Sequence, residues 1–351
     1  MVRTLSVVKA TMNLDHLTLL ACPHCHADLR CRQSAPGTPA VVTEGTLICT
    51  ACGREYPIIG GIPRFVPREN YASGFGLEWT RHARTQYDSY CGLPLSEQRF
   101  VSQTRWPRDL RGELILEVGS GSGRFTEQAA NTGAMVVSLD YSYAVEANYA
   151  ANGERANVLI VQADVFAMPF RSGTFDRVFC FGMLQHTPDP AAAFAALPRV
   201  LRSGGMLCAD IYKATLFRAF LHTKYYVRPF TRRMNPERLY QRVCAWVNFM
   251  WPLASLIRRL PKGYAVNWRL LVADYSPLGL GGDMLKEWSY LDTFDMLAPR
   301  YDRPVRIGTV RRWARRANLQ AVTTEYTAHG IVLRGTVPPT GAAAGAAPPA
   351  D

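Results

Sequence analysis

Residues 114–126 read LILEVGSGSGRFT. Five residues, four of them apolar, read as a strand and run into three glycines spaced by one residue, and a helix-competent stretch follows. Glycines in that position let the backbone turn sharply and approach a ligand closely, so Gly119, Gly121 and Gly123 predict a strand, a ligand-cradling turn and a helix start. A glycine-rich turn alone does not choose among nucleotide-type ligands. The choice falls to acids further along. Asp140 ends the next apolar run (MVVSLD), where a carboxylate can accept two ribose hydroxyls. Asp164 follows a third run (VLIVQAD), beside Val165, where it can accept from an adenine amino group. Glu117, just ahead of the first glycine, is expected near a cationic amino-acid end of the ligand.

Working outward, strands are expected at 114–118, 135–140, 158–163, 177–181 and 205–211, and helices at 124–132, 144–151 and 190–200. This alternation predicts a βαβ domain with a parallel sheet. After an aromatic, Arg-rich stretch at 213–300 the pattern resumes with a helix at 305–317 and two late strands. The expected organisation is a small module at 14–66, connecting helices at 67–112, a ligand-binding domain at 113–212 and 301–335, a helical insert at 213–300, and a low-complexity disordered tail at 336–351.

The segments LILEVGSGSGRFT, VVSLDYS, VQADVFAMPF, TFDRVFCFGMLQHTPDP and LPRVLRSGGMLCADIY resemble class I S-adenosylmethionine-dependent methyltransferases, the type 11 group in particular. The resemblance covers about a hundred residues. It implies an α/β, Rossmann-like, seven-stranded and mostly parallel sheet that binds S-adenosylmethionine. It assigns cofactor contacts to Glu117, Gly119, Ser120, Gly121, Gly123, Asp140, Tyr141, Asp164, Val165 and Gln185. The sulfonium is already a strong methyl donor, so the protein mainly aligns two reactants, with a general base for some acceptors. His186, after the fourth strand, is the first candidate for that base, and a helix-capping or cofactor-contacting role is the competing reading. Asp189, ahead of Pro190 and an Ala-rich run, reads as a helix N-cap.

Two C-x-x-C pairs, Cys22/Cys25 and Cys49/Cys52, offer four thiolates, the donor set of a closed structural zinc site. A metal-free relic or a redox pair are the alternatives. This stretch resembles the zinc-ribbon module of the tRNA-methyltransferase activator subunit. The nine cysteines otherwise lack the pattern of a disulfide framework, which fits a reducing compartment. The first ten residues do not read as a signal peptide, and no run of about 18 apolar residues predicts a membrane span. The expected location is the cytoplasm, with peripheral contact at the inner membrane surface as an option.

The formal net charge is +12, and it is concentrated: between Ile211 and Gln320 there are 20 Lys and Arg against 7 Asp and Glu. Either an anionic partner or a solvated Arg-rich face explains this. Residues 213–262 mix basic clusters with Trp246, Trp251 and aliphatics, suited to a membrane interface, a lipidic substrate or a buried lid helix. FGLEW (75–79), TQYD (85–88) and EWSYLDTFDMLAPRYDRP (287–304) resemble methyltransferases of cell-surface glycan and secondary-metabolite clusters. Trp79, Thr85 and Gln86 are thereby expected to cover cofactor or substrate, and a helix that packs its aromatics on the domain is the competing reading. Asp292 and Asp295 are expected to reach the substrate, with Asp292 a candidate catalytic group, and Tyr275 and Tyr290 are weaker candidates. The reading favoured is methylation of a small-molecule, glycan or lipid-linked acceptor. An RNA methyltransferase, for which a zinc module and basic insert would serve phosphate contacts, and a non-catalytic zinc scaffold stand as alternatives. The sequence does not fix the oligomeric state.

Overall fold

The computed structural model describes residues 12–33, 41–67, 70–214 and 222–339. The N-terminal module holds β1 (Met12–Asn13), β2 (Leu29–Gln33), β3 (Val41–Val42), β4 (Gly45–Cys49), β5 (Glu55–Ile59) and β6 (Ile62–Pro63). Strands β2, β4, β5 and β6 form an antiparallel sheet in that order, and β1 pairs with β3. Met12, two residues ahead of the expected boundary at 14, already pairs with Val42 and buries its side chain.

Three short helices follow: α1 (Ser73–Arg81), α2 (Asp88–Cys91) and α3 (Leu95–Thr104). The central domain then runs β7 (Leu114–Val118), α4 (Arg124–Ala130), β8 (Met135–Asp140), α5 (Val145–Asn152), β9 (Val158–Gln162), β10 (Phe175–Cys180), α6 (Pro190–Ala196) and β11 (Leu201–Ile211). The insert contributes α7 (Lys224–Thr231), α8 (Pro236–Ile257), α9 (Gly263–Arg269) and α10 (Gly282–Leu297). The chain closes with α11 (Ile307–Arg316), β12 (Gln320–Thr327) and β13 (Gly330–Thr336).

The seven-stranded sheet has the order β12-β13-β11-β10-β7-β8-β9. Strands β7 to β11 pair in parallel, and β13 alone runs against its neighbours β11 and β12. The order reverses beside β7, so ligands belong at the carboxyl edge where β7, β8 and β10 end. The strands are apolar almost throughout (VLIVQ in β9 is buried at every position) because helices cover both faces.

Several element bounds differ from expectation. Strand β11 starts at Leu201 rather than 205, since it continues beside β10 to Phe175. Helix α6 stops at Ala196, and a 3-10 turn covers Leu197–Val200; Pro198 has no N–H to continue the α-helical ladder. Asp189 caps α6 through Oδ1, which accepts from Ala191 N and Ala192 N at 3.0 Å each. Such a cap contributes about 1 kcal/mol. The expected tail boundary at 336 also shifts: Val337 exchanges backbone hydrogen bonds with Gly204 and Gly205. The tail residues 340–351 lie outside the described residues.

The insert is rooted where Lys213 bridges Val305 and Ala214 N donates to Val305 O at 2.8 Å. Helix α8 buries Leu239, Val243, Val247, Met250 and Ala254, largely against α10 (Phe294, Leu297). Its other side leaves Phe249 76% exposed and Leu256 60% exposed. No helix among the described residues is long and apolar enough to cross a membrane.

The module docks on the open side of β9. Phe65 N donates to Gln162 O at 2.8 Å, Arg64 Nη1 donates to Gln162 Oε1 at 2.9 Å, and Ala21 N donates to Pro169 O at 2.8 Å. Arg64 pairs with Gln162 as a short parallel bridge, so the edge of the large sheet is covered. One hydrophobic cluster runs from Leu47 and Ile58 in the module to Val161 and Phe170 in the central domain.

Candidate active site and cysteine centre

The glycine turn is fixed by left-handed backbone at Gly119 (φ +85°), Gly121 (φ +54°) and Gly123 (φ +93°). Gly121 N donates to Asp140 Oδ2 at 2.9 Å. The other oxygen, Oδ1, accepts from Ser142 N at 2.8 Å and Ser142 Oγ at 2.7 Å. Asp140 is thereby held at the end of β8 with lone pairs left for a ligand, and burial raises its pKa. Asp164 Oδ1 accepts from Phe166 N at 3.0 Å at the end of β9. The buried Ser120 hydroxyl has no partner.

These residues open on one cavity of about 920 Å³. Gly119, Ser120, Gly121, Asp140, Tyr141, Asp164, Val165, His186 and Asp292 all line it. Three expected cofactor contacts do not. Glu117 turns into the core: Oε2 accepts from Ser138 Oγ at 2.9 Å and from Thr126 Oγ1, and Asn148 Nδ2 reaches both hydroxyls at 2.8–2.9 Å. Burial pushes its carboxyl up to about 8. Oε2 thereby ties β7, β8 and α4 together beneath the turn, while Oε1 is buried without a hydrogen-bond partner. Gly123 is needed for packing, since a Cβ there would stand 2.0 Å from Asn148 Oδ1. Gln185 is fully buried, donating to Gly182 O at 2.5 Å and accepting from Tyr212 N at 3.4 Å.

His186 Nδ1 donates to Tyr301 O at 2.9 Å, so the tautomer with its proton on Nδ1 has Nε2 as its acceptor. Its ring packs between Phe75 and Tyr212, at centroid distances of 5.2 and 5.5 Å. Of the expected covering residues, Trp79 and Gln86 line the cavity. Thr85 does not: its carbonyl accepts from Trp288 Nε1 at 3.0 Å and its hydroxyl is bonded to Glu287. Tyr290 also lies away, donating to Asn248 Oδ1 at 2.6 Å.

The insert supplies the opposite wall. Asp292 and Asp295 stand there with Tyr275, Trp268 and Trp288. Gln86 Nε2 is 3.5 Å from Asp292 Oδ2, and burial followed by the charge of Asp295 pushes Asp292 up to about 7. Sequence reasoning missed Glu78, Arg99 and Arg124, which line the same cavity. Arg99 pairs with Asp210 at 2.7 Å, and Asp210 Oδ1 accepts from Gly182 N at 2.6 Å, which orders the turn after β10. Arg124 stacks on Phe125 at 4.5 Å; burial, then Arg99, pulls it down to about 10. The position of Arg124 directly after the glycine turn was the one signal available.

The four thiols of Cys22, Cys25, Cys49 and Cys52 meet with all sulfurs within 4.8 Å of one another. Cys22 and Cys52 are 3.7 Å apart, and Cys25 and Cys49 3.4 Å. A tetrahedral zinc–thiolate centre with ~2.3 Å bonds needs sulfurs roughly 3.8 Å apart, so this set fits the ion. The N–H of Cys52, 3.4 Å from Cys49 Sγ, leads the interactions that pull that thiol down to about 6.

Two known protein families match parts of this chain. Residues 116–209 match the methyltransferase domain family, and residues 13–61 match the Trm112p-like protein family. A ubiquinone biosynthesis O-methyltransferase of Aromatoleum aromaticum is 30% identical over 186 residues, covering 50% of this chain and 74% of that protein. An uncharacterized chloroplastic methyltransferase of Arabidopsis thaliana is 32% identical over 154 residues, 41% of this chain, and the match spans only 42% of the plant protein. A solved complex between the Haloferax volcanii Trm112 methyltransferase activator and a methyltransferase aligns at TM-score 0.44 and 12% identity, covering 78% of this chain and 99% of that one.

Proposed function

We propose, from the premise that this chain belongs to the S-adenosylmethionine-dependent methyltransferases, that it methylates an oxygen or nitrogen of a small-molecule, glycan or lipid-linked acceptor held beneath the helical insert. The observation that carries the reading is the cavity itself: the wall with Gly119, Asp140 and Asp164 and the wall with Tyr275, Trp288 and Asp292 enclose one space. Its volume is at the upper end of the usual range for small-ligand pockets, roughly 300–1,000 Å³. The A. aromaticum relative, by its name, works in ubiquinone biosynthesis, which supports a small acceptor here.

When bound, S-adenosylmethionine supplies an electrophilic methyl group on its sulfonium. Asp140 and the glycine turn hold the nucleoside end, and Asp164 lies within the same wall. The packed rings of Phe75, His186 and Tyr212 keep water from the space beside them. His186 Nε2 takes the proton released by a hydroxyl or amine acceptor.

Exposed apolar side chains on the insert, Phe230, Phe249, Leu256 and Leu260, share its sequence with the exposed Arg232, Arg233 and Arg259. That combination supports peripheral contact with an anionic membrane, and with it a place at the cytoplasmic face of one. A second reading, RNA methylation, draws support from the Trm112p-like match and the same basic surface. Transfer of labelled methyl groups to a fractionated cell extract separates them. Label in a small-molecule or lipid fraction resistant to ribonuclease is expected, and label lost with ribonuclease overturns the first reading.

A further inference from the structure

Three carboxylates meet on the insert side of the cavity: Glu78 from α1, and Asp292 and Asp295 from α10. Glu78 is 1% exposed, and neither of its carboxylate oxygens has a hydrogen-bond partner. The charges that act on it are Asp295 and Asp292, both of its own sign, and they add to burial in raising its pKa well above the usual carboxylate range. Asp292 is better supplied, with the Tyr275 hydroxyl, the Gln86 amide and the charge of Arg124. Tyr275 is packed between Trp268 and Trp288, at centroid distances of 5.3 and 5.0 Å.

A buried carboxylate without a partner works against the fold. Glutamine or leucine would serve packing at position 78 at less cost. The group makes sense if a cation joins it, and aromatic faces beside acids are a common surrounding for organic cations. We propose that this wall seats a cationic nitrogen of the acceptor: the acceptor carries an ammonium group, bound by Glu78, Asp292 and Asp295 against Tyr275 and Trp288. The inference rests on the reading of the cavity as the acceptor site. The cofactor itself carries two cations, its amino group and its sulfonium, and the test separates them from a cation of the acceptor.

The full-length protein is loaded with S-adenosylhomocysteine and titrated with phenethylamine, phenethyl alcohol and 3-phenylpropionate. The ammonium probe is expected to bind at least about tenfold more tightly than the alcohol, a margin equal to one well-made charged contact. Glu78→Gln and Asp295→Asn, checked for a melting temperature no lower than that of the wild type, are each expected to remove most of that margin while affinities for S-adenosylmethionine and S-adenosylhomocysteine stay the same. Equal binding of the three probes, no binding of the amine, or a preference that survives both substitutions overturns the inference. So does a loss of affinity for both cofactor forms, which assigns the wall to the cofactor's amino group, or for S-adenosylmethionine alone, which assigns it to the sulfonium. Methylation of a neutral small molecule would sink this inference and leave the methyl-transfer reading standing, whereas ribonuclease-sensitive label would sink that reading.

Discussion

The amide of Gly121 donates to Oδ2 of Asp140 across 2.9 Å, so the turn after the first parallel strand is tied to the acid that ends the second. One carboxylate therefore shapes the loop and remains available to a ribose. Asp140→Ala removes both functions. A charge-assisted hydrogen bond contributes about 1.5–3 kcal/mol, so titration calorimetry should show S-adenosylhomocysteine bound at least about tenfold more weakly. Unchanged affinity would place the nucleoside elsewhere.

Gly123 sits at φ +93° with Asn148 and Asn152 packed where a side chain would go. Gly123→Ala should destabilise the protein by about 1–3 kcal/mol through strain and overpacking. A lowered denaturation midpoint, with a smaller loss of cofactor affinity than Asp140→Ala causes, is the expected pattern.

The pH dependence of stability should carry a signature of Glu117, whose folded pKa of about 8 lies above its unfolded value near the usual glutamate range. The folded state holds this proton more tightly, so its contribution is complete below about pH 4.5 and is lost as pH rises through 8. Glu117→Gln cannot titrate. Its stability, measured by denaturant unfolding from pH 5 to 8.5, should fall less steeply with pH than that of the wild type. Parallel curves would contradict the assignment.

Much of this was legible in the sequence, and the limits have physical causes. Strand β7 begins at Leu114 and α4 at Arg124, as the change from apolar run to glycine turn predicts. Acids at strand ends were readable because a strand's carboxyl end is fixed by its pattern. The direction of Glu117 was not readable. Both faces of a central parallel strand are buried, so alternation does not tell core from cavity, and only the convergence of Thr126, Ser138 and Asn148 decides it. Glu78 and Arg99 reach the site through tertiary packing of α1 and α3, which no local spacing records, whereas Arg124 opens α4 directly after the glycine turn.

The shared core of the cysteine module and the central domain predicts a joint response to metal loss. Chelation, or Cys49→Ser, should lower the thermal midpoint of the whole chain in a single transition, because Leu47 and Ile58 share one cluster with Val161 and Phe170. A separate low-temperature step with the main transition unmoved would show that the two units unfold independently.

His186→Ala should lower turnover about 10²–10⁴-fold if Nε2 takes the acceptor proton, while S-adenosylhomocysteine affinity holds. Loss of cofactor affinity with turnover preserved at saturation would make His186 a binding residue instead.

The central claim is that donor and acceptor share the space between the carboxyl edge of the sheet and the insert. A crystal structure of the complex with S-adenosylhomocysteine tests it most directly. The account predicts ribose hydroxyls on Asp140 and a sulfur that opens onto the cavity walled by His186, Tyr212 and Asp292. A nucleoside away from Asp140, or a sulfur sealed off from the insert, would contradict it.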